Sequence, residues 1–135
     1  MPMRTYDEVS AMLEDIIDEV PQQLFEKLNG GVVLAEEYKL HESSRPERPL
    51  YIMGEYCNDS MGRKIIIYYG SFRIVHGYLN TENFREKLRH TFSHELRHHV
   101  ENLSGVKTLN NFDDERLNRY NSGMDIAEFH EPPVG

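Results

Sequence analysis

From Tyr6 to Val20 the apolar positions Val9, Met12, Leu13, Ile16, Ile17 and Val20 recur at three- and four-residue intervals. That period puts them on one face of an α-helix. Thr5 followed three residues later by Glu8 is a capping-box start to it. Pro21 opens a short second helix carrying Leu24, Phe25 and Leu28, and Asn29-Gly30-Gly31 stops it. Val32 to Ala35 reads as a short strand, and residues 41–49, with Pro46 and Pro49 among charges, as a loop. Leu50 to Cys57 and Lys64 to Tyr69 read as two strands joined by the turn Asn58-Asp59-Ser60-Met61-Gly62. The run Ile65-Ile66-Ile67 does not alternate, which predicts a strand covered on both faces. Gly70 to Tyr78 mixes its signals and is expected to be a short helical link.

The longest periodic segment runs from Thr81 to Leu103. Asn80 or Thr81 can cap its start, Glu82 suits the positive end of the dipole, and Gly105 follows in C-cap position. Phe84, Leu88, Phe92, Leu96, Val100 and Leu103 form its apolar stripe. Leu117 to Tyr120 is a short helical pattern. Helices beside a small, mostly antiparallel sheet predict an α+β two-layer domain over residues 1–121. Residues 122–135 have little to bury and are expected to form a flexible tail.

Composition narrows the partners. Fifteen basic against 23 acidic residues give a net charge of −8, the wrong sign for neutralising phosphates, so no nucleic-acid partner is expected. No apolar run approaches membrane-span length, and no membrane partner is expected. The single cysteine, Cys57, rules out a disulfide within the chain and suits a reducing compartment. The acidic amphipathic amino terminus is unlike a secretion signal. The expectation is a cytoplasmic protein.

The chemistry concentrates in His94-Glu95-Leu96-Arg97-His98. On a helix, residues four apart lie one turn above each other, so His94 and His98 can give ring nitrogens to one Zn²⁺. Glu95, about 100° round the helix from His94, can take a proton from a water on the metal. On this wheel the two histidines lie roughly opposite the apolar stripe. A solvated histidine-rich helix face with no ligand is the competing reading. His90 extends the row by one turn without the adjoining carboxylate. His99 falls in the stripe and reads as a core group. His41, His76 and His130 are isolated, with His130 a distant fallback ligand. A catalytic zinc takes three protein ligands and one open position. Asp113, Asp114 and Glu115 offer the third ligand, or else cap and charge the following helix.

The motif His94 to His98, a second histidine at 99, and then Asp114-Glu115-Arg116-Leu117 resemble the minimal zincin-like metallopeptidases of bacteria. Leu50 to Cys57 and Ile65 to Phe72 resemble a branch of the same family, and the likeness spans most of residues 6–121. It implies a two-layer zincin-like domain and a zinc-dependent peptidase acting on a peptide or protein substrate. It assigns His94, His98 and Asp114 to the metal and Glu95 to the general base. It also implies that an edge strand beside the metal aligns an extended peptide. The compact pattern of that family, HExxHxxGxxD, is not kept: Glu101 stands at its glycine, and Asp114 follows His98 by sixteen residues. Asp113 is the next candidate ligand, with Glu101 and Glu115 behind it. Tyr68, Tyr69 and Tyr120 could stabilise an oxyanion, though each also reads as a packing residue. Two histidines and one carboxylate also suit iron. A metal-containing binding or regulatory module without turnover is the alternative function.

Overall fold

Thr5 starts the first helix as its spacing predicts. Its hydroxyl accepts from the Glu8 N–H at 3.1 Å, and the Glu8 carboxylate accepts from the Thr5 N–H at 2.8 Å. In this computed structural model the protein is described over residues 4–105 and 124–128. Helix α1 (Tyr6–Asp18) buries Val9, Met12, Leu13 and Ile16. The expected second helix shrinks to one 3₁₀ turn, Gln22–Phe25. The chain leaves the turn at Glu26, whose ψ of 134° is extended, and Lys27 follows at φ 64° in the left-handed region. Glycine occupies that region without the Cβ penalty, so Lys27→Gly is expected to stabilise the fold by about 0.5–1 kcal/mol. A melting temperature that is unchanged or lowered would contradict this.

The sheet contains β1 (Gly31–Ala35), β2 (Lys39–Leu40), β3 (Leu50–Asp59), β4 (Gly62–Tyr68) and β5 (Met124–Glu128). β1 runs parallel to β4, and the other pairings are antiparallel. Tyr51 and Ile52 pair with both β2 and β5, while Gly54 and Glu55 pair with both β4 and β5. One edge of β3 therefore belongs to β5, and β4 and β2 share the other in succession. The register against β5 slips between Ile52 and Gly54, leaving Met53 as an extra residue.

Two expectations change here, and one strand lies where none was expected. Residues 124–128 of the expected tail form β5, because a bare edge of β3 offers backbone hydrogen bonds that composition cannot reveal. Ile65 and Ile67 are fully buried, but Ile66 is only half-buried and pairs with Val33, which is 41% exposed. The isoleucine run thus alternates like any strand with one covered face. Lys39–Leu40 pairs with β3 although two residues carry no readable period.

On the covered face, α1 and α3 (Thr81–Ser104) pack with α2 (Tyr69–His76) around Phe72, Phe84, Leu88 and Phe92. Phe92 stacks on Phe25 at 6.2 Å between ring centres; burying one such ring contributes about 1.5–3 kcal/mol. The result is an α+β fold with helices against one face of a mixed sheet. Among the described residues, no helix is long and apolar enough to cross a membrane.

Candidate metal centre

Helix α3 carries the motif and is bounded as its sequence predicts. Asn80 caps it by accepting from the Asn83 N–H at 2.7 Å, and Gly105 closes it in the left-handed region at φ 75°. Its buried positions are Phe84, Leu88, Thr91, Phe92, Glu95, Leu96 and His99. Val100 is half-buried and Leu103 exposed, so the buried face is rotated from the predicted stripe. Gly54 shows the cause. A Cβ there would stand 2.9 Å from the Thr91 methyl, so the missing side chain lets β3 close on α3 along the line of Thr91 and Glu95. His94 and His98 consequently lie half-buried on the flank of that face rather than opposite it.

The two imidazoles converge. Their Nε2 atoms are 3.2 Å apart, with ring centres at 4.8 Å and planes at 84°. Two nitrogens on one tetrahedral zinc, each at about 2.0–2.1 Å, stand about 3.3 Å apart. The same 3.2 Å separation also permits one ring to donate a hydrogen bond to the other. His90 is exposed, and its ring centre lies 6.5 Å from that of His94.

Glu95 is fully buried, and neither carboxylate oxygen has a hydrogen-bond partner among the described residues. Burial raises its pKa to about 8, with the charges of Asp125 and Glu55 adding to the effect. Leaving both oxygens of a buried carboxyl unmatched is costly, so a hydrogen-bond donor or cation beside Glu95 would be stabilising. One turn earlier, the Thr91 hydroxyl donates to Asp125 Oδ2 and ties α3 to β5.

His99 behaves as the core group its position predicts. Its Nε2 lies 2.8 Å from the Glu26 carbonyl and its Nδ1 2.8 Å from the Tyr56 hydroxyl. Since a carbonyl only accepts, a neutral His99 ring carries its proton on Nε2 and accepts from Tyr56. Both ring nitrogens are thereby engaged away from the His94–His98 pair.

Other candidates are committed elsewhere or lie outside the described part of the chain. Asp113, Asp114, Glu115, Tyr120 and His130 lie outside the described residues. Among the described residues, no three of His, Cys, Asp and Glu gather where they could hold a metal ion. Glu101 pairs with the exposed Arg97 at 3.4 Å. The Tyr68 hydroxyl donates to Glu55 at 2.6 Å, and burial holds that phenol far above its ordinary pKa. The Tyr69 hydroxyl donates to the Arg4 carbonyl. Neither tyrosine is therefore free to serve an oxyanion in this arrangement. Burial pushes the Cys57 thiol up, with Glu55 adding to it, so the cysteine is no ready nucleophile. Thr91, Asp125, Gly54 and Tyr56 were not legible as parts of the site. Each acts through a partner remote in sequence, and only Gly54, a glycine inside a strand, carried a signal of close backbone approach.

No family model matches the chain, and no curated protein does. A solved structure is similar: that of a conserved hypothetical protein from Thermo thermophilus. It has 28% sequence identity and a TM-score of 0.61, covering 76% of this chain and 99% of that one. Its description names no activity, so the likeness speaks to the fold and leaves the function to the residues.

Proposed function

We propose that the protein is a zinc-dependent peptidase of the zincin-like kind, in which His94 and His98 hold the ion and Asp114 completes the ligand set. The observation that carries this reading is the pair of Nε2 atoms 3.2 Å apart beside a buried carboxyl with no partner for either oxygen among the described residues. A bound zinc would polarise the scissile carbonyl and make a water acidic near neutral pH. Glu95 would take a proton from the attacking water and return it to the leaving amine. α3 sets the order of these groups, since the 94, 95 and 98 positions turn the histidines to one flank and the acid toward the sheet. Zinc attracts a carboxylate, which would shift Glu95 toward its ionised, proton-accepting form. A single cysteine leaves no internal disulfide and suits a reducing compartment, and we infer a cytoplasmic location on that ground.

Elemental analysis of protein purified without added metal tests the reading. About one zinc per chain is expected, falling sharply in His94→Ala and His98→Ala, with a smaller loss in Asp114→Ala. Sub-stoichiometric zinc, together with thermal stability indifferent to a chelator, would leave only a hydrogen-bonded histidine pair.

One observation favours a second reading. A general base that is fully buried has no contact with solvent in this arrangement. A metal-containing binding or regulatory module without turnover needs no such contact. Such a module keeps its zinc and its partner binding when Glu95 is neutralised.

A further inference from the structure

A base must reach water, yet Glu95 is fully buried, so something beside it must open if the peptidase reading is right. β5 is the described element best placed to do so. It is a five-residue strand that, among the described residues, pairs with β3 alone, and its register is broken at Met53. The Thr91 hydroxyl donates to its Asp125, one helical turn from Glu95 on the same face of α3. Among charged groups, Asp125 also acts most strongly on Glu95. An extended chain on this edge of β3 therefore passes directly beside the base.

We propose that β5 is a removable internal strap: the chain's own strand holds the edge of β3 beside Glu95, and an extended peptide gains that edge by displacing it. This rests on the peptidase reading and adds self-occupancy to it. The physical basis is exchange of like for like. Backbone hydrogen bonds to β3 are given up by one antiparallel strand and remade by another, so the net cost of the exchange is small. The strap is also suited to leave. Asp125, Ile126 and Ala127 all keep some exposure, and none of them belongs to the fully buried core of the described residues. The Thr91–Asp125 bond is the latch, and it is re-formed when the edge empties.

The test uses the full chain. Successive N–H groups of a strand point to opposite edges, so Ile126→Pro together with Ala127→Pro removes one ladder bond whichever edge each faces. The probe is an acetylated, labelled peptide with the sequence of residues 122–130, added to metal-free protein so that no hydrolysis is needed. If β5 leaves the edge about a tenth of the time, freeing it should tighten apparent peptide binding about tenfold. With zinc restored, the double variant should show a matching rise over wild type in kcat/KM on unstructured peptides. A folded variant that binds the probe no better than wild type overturns the proposal. Should the variant fail to fold, hydrogen exchange of wild-type protein decides. β5 amides that open far more readily than those of α3 support the strap, and equal protection overturns it. Failure of the peptidase reading shows up separately, as absent zinc and absent hydrolysis with the binding result intact.

Discussion

Glu95→Gln is expected to keep its zinc and to lose peptide hydrolysis by about 10²–10⁴-fold, the range a positioned general base contributes. The substitution conserves shape and removes only the capacity to accept a proton. Metal content and kcat measured on the same preparation check this together. Hydrolysis within tenfold of wild type would take Glu95 out of the base role, and loss of zinc would mean that the side chain supports the ligands instead. The metal-free protein gives a second readout. There the Glu95 pKa is raised from 4.5 to about 8, by burial first and then by Asp125 and Glu55. The folded state therefore binds more protons than the unfolded state across that interval. Stability is fully present below about pH 4.5 and is lost as pH rises through 8, on the order of a few kcal/mol. Glu95→Gln should flatten this slope in chelator-treated protein, as chemical denaturation at about pH 5 and about pH 9 would show. An unchanged slope would mean that Glu95 is not held neutral by its surroundings.

Gly70→Ala is the second large effect. Helix propensity alone favours the change by at most about 1 kcal/mol, since Gly70 lies in the first turn of α2. Space forbids it. A Cβ at Gly70 would stand 2.5 Å from the Tyr38 backbone nitrogen and 2.6 Å from the Glu37 carbonyl carbon. These are main-chain atoms already fixed by the Gly70 N–H to Glu37 carbonyl bond at 3.1 Å and the Lys39 N–H to Ser71 hydroxyl bond at 3.2 Å. Overpacking against atoms that cannot move aside is expected to outweigh the propensity gain and cost about 3 kcal/mol net. Urea denaturation would read this directly. A neutral or stabilising result would mean that the loop from Glu36 to Tyr38 can shift away from α2.

The chain disclosed its elements where a local period or a local bond specified them. The capping box at Thr5 and Glu8, the Asn80 cap and the Gly105 stop depend on residues within one turn of each other. His94 and His98 were legible for the same reason, because four residues on a helix is a fixed distance. His99 was legible as a core group from the wheel, but the identity of its partners was not. Tyr56 and the Glu26 carbonyl reach it from 43 and 73 residues away.

What the sequence determined by itself was the motif, the long helix beneath it and an α+β arrangement, since each follows from short-range spacing. The tertiary structure decided how the motif is turned. Gly54 lets β3 press on Thr91, and that rotates Glu95 into the core and the histidines to its flank. It also drew Met124–Glu128 onto β3, where Asp125 meets Thr91. The physical reason is that close packing and strand pairing depend on surfaces brought together from distant segments, which no period within either segment encodes.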